Sequence, residues 1–199
     1  MCNIFSEIFE ILDIDKINSK ENFDLFISKL INHPTPLREA VAYKLEDVFC
    51  ENYIDNNNCK IILLSITDIN PNVSRCICSV IKKSKKLQNM LEIMIIEKIE
   101  EILVRIPEKE KIQNNKNHAK NKLIFSLYWL MEALSYCLSK QYIEKIYKIL
   151  QITILFSDYT IREKTAKILA KIDNPDIDLI NQINKDKNFY VNFYTKLYK

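Results

Sequence analysis

Among the 199 residues of this chain there is not one glycine. Phosphate-cradling loops, nucleophile elbows and most tight β-hairpin turns need a backbone conformation or a close approach that glycine serves best. A Walker loop, a dinucleotide fingerprint and a G-x-S-x-G hydrolase are all absent for that reason, and a sheet built from tight hairpins is disfavoured. The chain should therefore be all-α. Where a helix needs a left-handed residue after its end, asparagine must replace glycine, and "ENYIDNNN" (51–58) offers Asn56, Asn57 and Asn58 for it.

Apolar residues recur at helical spacing along almost the whole length. Leu37, Val41, Leu45 and Val48 fall on one face; Val73, Ile77, Val80 and Ile81 repeat the stripe, as do Ile161, Thr165, Ile168, Leu169 and Ile172. Each stripe follows a polar turn: "HPTPLREAV" from residue 33, "DINPNVSRC" from 68, "SDYTIREKT" from 157. Pro36 and Pro71 suit a first helical turn with Thr35 and Asn70 as caps, and Thr160 to Glu163 spells a capping box. A further helix is predicted before each turn, over 21–31, 59–67 and 142–156.

From Leu37 to Val73 is 36 residues, and from Val73 to Ile161 is 88, two periods of 44. The missing unit is supplied by helices predicted over 87–106 and 119–138, separated by a polar insertion (107–118) that reads as a mobile loop. A last pair follows at 174–184 and 188–199, and residues 3–17 read as a capping helix. The spacing thus predicts one domain over 1–199: a cap (1–18) and repeats over 19–51, 52–86, 87–138, 139–172 and 173–199.

Helix pairs of this length, joined by a turn of the form Asp-x-Asn-Pro-x-Val-x-Arg, resemble HEAT repeats. The residues that carry the resemblance are Asp68, Pro71, Val73 and Arg75; Leu37, Arg38, Glu39 and Ala40; and Asp158, Ile161, Arg162 and Glu163. The turn before Leu123 departs from the pattern, and Val191-Asn192 stands where Val-Arg is expected. The resemblance covers roughly residues 20–199 and implies a right-handed α-solenoid, or superhelix, of about five repeats. It also implies a protein-binding scaffold, with second helices lining the concave face and each turn arginine held by an aspartate of the same or a neighbouring repeat.

Function is less legible. The net charge of +3 is divided as 12 basic against 14 acidic residues up to position 99 and 17 against 12 after it, far from the basicity of a dedicated nucleic-acid binder. No apolar run approaches the roughly 20 residues that cross a bilayer, and the acidic start "MCNIFSEIFEILDID" lacks the basic opening of a signal peptide; a cytoplasmic protein is expected. The six cysteines show no zinc or disulfide spacing and read as reduced, mostly buried thiols. His33 and His118 stand apart from any nucleophile, so no enzyme, cofactor or metal is expected.

The expected partner is a protein, met by Arg38 and by exposed residues around the turn arginines: Glu39, Lys44, Lys82, Lys83, Lys164, Lys167 and Lys171. Arg75 and Arg162 are expected to hold their turns instead. The alternative is a nucleic-acid-binding HEAT-like protein resembling the glycosylases of alkylated bases. Trp129, with Glu132 a turn away and Lys120 and Lys122 upstream, is its one candidate cluster, and Trp129 reads more simply as core. At the C-terminus, Tyr190, Tyr194 and Leu197 are expected to pack inward. Phe189, Val191, Phe193 and Tyr198 would then form an exposed surface for a partner or weak self-association, unless Ile177, Ile180 and Ile183 cover it.

Overall fold

The computed structural model describes residues 4–106 and 118–195, and every regular element among them is helical. The chain divides into two compact units, Met1–Leu91 and Glu92–Lys199. The boundary lies inside helix α6 (Lys85–Arg105).

The first unit holds α1 (Ile4–Leu12), α2 (Lys20–Ser28), α3 (Thr35–Val48), α4 (Asn56–Ile66) and α5 (Pro71–Lys83). Helix α2 packs on α3 and α4 on α5; across the pairs, α2 meets α4 and α3 meets α5. First helices thus share one layer and second helices the other, with α1 laid against α3. The stripes explain the pairing. Leu37, Val41 and Leu45 of α3 and Val73, Ile77 and Ile81 of α5 are almost wholly buried, each contributing about 1.5–3 kcal/mol relative to an exposed position. One partner helix is too narrow to cover a stripe alone, so the neighbouring pair completes the cover.

Local start signals differ in part from the sequence expectation. Asn70 caps α5 as anticipated, its side chain accepting from the Asn72 N–H. Helix α3 starts one residue early: Pro34 is its cap residue, and Thr35 is already helical. Asn56, Asn57 and Asn58 open α4 rather than close a helix, because Asp55 caps it and the Asn58 side chain completes a capping box. Among the described residues the left-handed positions are Asn32 (φ 58°) and Asn174 (φ 52°), where asparagine stands in for glycine. Asn32→Ala is expected to lower stability by about 1 kcal/mol, read as a shift of the urea midpoint at unchanged slope.

The second unit holds α7 (His118–Leu134), α8 (Ile143–Thr153), α9 (Tyr159–Leu169), α10 (Ile177–Asn184) and α11 (Phe189–Phe193). Helix α9 contacts all the others, α7 and α11 most extensively. Its stripe of Ile161, Ile168 and Leu169 is fully buried. Thr165 is tolerated in that stripe because its Oγ1 lies 2.8 Å from Thr153 Oγ1 and 3.0 Å from the Ile161 carbonyl. The cap of α9 is Asp158, which accepts from both the backbone and the hydroxyl of Thr160; Thr160 therefore serves the cap and does not form it.

Counting from the cap settles the phase of the last helix. The third residue after the cap of these second helices is buried: Leu37 after Pro34, Val73 after Asn70, Ile161 after Asp158 and Val191 after Asn188. Val191 and Thr195 consequently face inward, while Tyr190, expected to pack inward, is 61% exposed. Helix α10 buries Leu179 and Ile183 and leaves Ile177 71% exposed, so it does not cover α11 in the way its isoleucines were expected to. The insertion at 107–117, Leu197 and Tyr198 lie outside the described residues.

Candidate interaction site

Two arginines fasten second-helix turns to the turns that follow. In the first unit Arg38 grips Asp68 with two parallel bonds, Nε to Oδ2 at 2.7 Å and Nη2 to Oδ1 at 3.0 Å. Its Nη1 donates to the His33 carbonyl, and Nη2 also reaches Thr35 Oγ1 at 3.3 Å. In the second unit Arg162 meets Asp186 at 2.6 and 3.3 Å in the same fashion, and its Nη1 donates to the carbonyls of Phe156 and Ser157. The acceptor turns also match. Asp68 takes the N–H of Asn70 and Asp186 that of Asn188, each at 2.8 Å. Ser74 and Asn192, six residues on, bond back to the two aspartate carbonyls. Burial pushes the Asp186 carboxyl up, but the Arg162 fork outweighs it and holds the group below the usual carboxylate range.

Both gripping arginines stand four residues after their cap. Arg75 stands five after Asn70, about 100° further round the helix, where it is exposed and makes one hydrogen bond among the described residues, to Asn72 Oδ1 at 3.3 Å. Arg75 therefore does not hold its turn, contrary to expectation. Arg38, expected to meet a partner, is largely committed within the fold.

The lysines of α9 are also committed. Lys164 and Lys167 approach Glu132 of α7 at 2.8 and 2.6 Å, and the Tyr136 hydroxyl donates to the same carboxylate. The Lys164 ammonium sits 4.3 Å above the Tyr128 ring, and Lys171 sits 4.6 Å above that of Tyr136 while donating to the Ser135 carbonyl. Burial raises the pKa of Glu132, yet the two ammonium groups and the phenol overcome it and hold the carboxyl at about 2. Burial depresses Lys164, and Glu132 more than reverses this, so its ammonium is held above the ordinary lysine range. Lys164 was expected on an exposed face and is only 6% exposed. It lies six residues after its cap, where α3 has buried Ala40 and α5 has buried Cys76.

The other sequence candidates are dispersed. Both oxygens of Glu39 accept amides, from Asn70 at 2.8 Å and Asn72 at 2.6 Å. Lys44 lies 3.8 Å from Asp47, and Lys83 pairs with Glu46 at 3.1 Å; Lys82 is exposed. Phe189 and Phe193 are 59% and 52% exposed with ring centroids 6.0 Å apart, whereas Val191 is core. Trp129 is half-buried against Phe125 and Tyr128, beside a cavity of about 360 Å³ that Asp158 also lines. Glu132, the carboxylate a base-excision site would draw on, is occupied by the lysines. Of the cysteines, 59, 76, 78 and 137 are buried and in no disulfide; burial pushes Cys59 and Cys76 up to about 11, which keeps them protonated and unreactive at neutral pH.

Among the described residues no cluster of histidine, cysteine, aspartate and glutamate could hold a metal ion. No described helix is long and apolar enough to cross a membrane. No protein-family model and no curated protein matches this sequence.

Proposed function

We propose that the chain is a non-catalytic, cytoplasmic protein-interaction module, an α-solenoid of HEAT-like repeats that presents its second helices to a protein partner. The observation that carries this reading is the recurrent arginine–aspartate clasp between successive second-helix turns, Arg38 to Asp68 and Arg162 to Asp186. It supports the reading because a clasp that fastens one second-helix turn to the next stiffens the unit it lies in, and a stiff helical surface binds with little ordering cost. The commitment of Glu132, Lys164 and Lys167 to one another further favours a structural role for the residues that most resemble a reaction centre.

The test is affinity capture of the tagged full chain from its native host, with and without nuclease, alongside a titration of a 20-base-pair duplex at low and physiological salt. A protein partner that survives nuclease, with duplex binding weak and abolished by salt, is the expected result. Duplex binding that persists at physiological salt, with partners lost to nuclease, would replace this reading with the nucleic-acid one.

A further inference from the structure

Building on that reading, we infer that a groove across α1, α3 and α5 is the docking site for a peptide segment of a partner, carrying an apolar side chain next to a carboxylate. The groove has a volume of about 440 Å³. Ile8 and Leu12 come from α1, Ala40 and Tyr43 from α3, and Cys76 from α5. Ala40 and Cys76 make a small-residue floor, buried at 8% and 6% exposure, where α9 has the bulky Lys164 at the same distance from its cap. Tyr43 stands 62% exposed beside this floor. Small residues below an exposed aromatic leave room for one inserted apolar side chain.

The charge at the rim says what must accompany it. Arg75 lines the groove, and its guanidinium has no carboxylate partner among the described residues; its one hydrogen bond is the 3.3 Å contact with Asn72. The clasping arginines each hold an aspartate in a two-bond fork. Arg75 presents the same fork to solvent, ready for a carboxylate from outside. Glu39, the other rim charge, is turned to the amides of Asn70 and Asn72. A single cation next to a carboxylate is a poor match for a phosphate backbone, which needs a row of cations, and a good match for one acidic side chain beside an apolar anchor.

A random peptide library displayed on phage and selected against the full chain tests this. Enriched peptides should pair an aromatic or aliphatic residue with Asp or Glu within one helical turn. Their affinity, read by fluorescence anisotropy on the synthesised peptides, should fall at least about tenfold on Arg75→Glu and on Tyr43→Ala. Selection against Arg75→Glu should instead enrich Lys or Arg beside the apolar residue. Both side chains are exposed, so unchanged thermal unfolding of the variants separates loss of binding from loss of fold. Enriched peptides without acidic preference, or indifferent to both substitutions, would overturn the groove while leaving an interaction module that binds elsewhere. No enriched peptide, together with a wild-type dimer that Arg75→Glu dissociates, would give the groove to a second copy of this chain and overturn the peptide. No peptide and no dimer would overturn the site, and capture that also yields no protein partner would remove the module reading with it.

Discussion

Replacing Glu132 by alanine is expected to destabilise the protein by about 3–5 kcal/mol, because the change strands two ammonium groups where only one carboxylate neutralised them. Lys164 is the more costly of the two, since its side chain is only 7% exposed. The same interaction should appear in the acid limb of stability. The Glu132 carboxyl is held at about 2 in the folded chain against an ordinary value of 4.5. Its contribution is therefore complete above pH 4.5 and is lost as pH falls toward 2, on the order of 3 kcal/mol in all. Urea midpoints measured between pH 7 and pH 2.5 check both statements. Glu132→Gln, which keeps the shape and loses the charge, should be less stable than wild type at neutral pH and should lose stability less steeply on acidification. A Glu132→Gln curve parallel to that of wild type would mean that the cluster contributes nothing acid-sensitive.

The second large effect belongs to the clasps. Arg38→Ala leaves Asp68, a side chain only 8% exposed, without its charge partner, and Arg162→Ala does the same to Asp186 at 12%. Each is expected to cost about 3 kcal/mol. Arg38→Lys should recover part of this and lose about 1–2 kcal/mol, because an ammonium cannot reproduce the fork. A double-mutant cycle between positions 38 and 68 should give a coupling of about 2 kcal/mol. Arg75→Ala is the control, expected to stay within about 0.5 kcal/mol of wild type because Arg75 is exposed and its one hydrogen bond among the described residues is to Asn72. Equal losses at positions 38, 75 and 162 would contradict the distinction drawn from their phase.

The buried stripes of α3, α5 and α9 were fully legible in the sequence, because burial of branched aliphatics at helical spacing is a strong, redundant signal. Helix phase was less so. The expected inward face at the C-terminus was counted from Tyr190, whereas the Asn188 cap sets the phase and turns Val191 inward. The same count from the cap distinguishes Arg38 and Arg162 from Arg75, a difference of a single residue in otherwise similar turns. From the sequence alone Lys164 reads as solvated, as lysines usually are. Its position after the cap matches buried Ala40 and Cys76, and that match was the available signal. What no local pattern carries is the identity of its counter-charge: Glu132 lies 32 residues earlier on another helix, and only packing brings the two within 2.8 Å. The groove beside Arg75 is equally non-local, since it needs α1, α3 and α5 side by side.

If the protein acts by presenting its second helices to a protein partner, hydroxyl-radical footprinting of the chain, free and with its captured partner, will map the contact to them. Tyr43 of second helix α3 and Leu12 of α1 beside it, both exposed in the first unit, are expected to lose labelling in the complex, while exposed Leu64 of first helix α4 is not. Labelling that falls at Leu64 and stays unchanged at Tyr43 and Leu12 would contradict it.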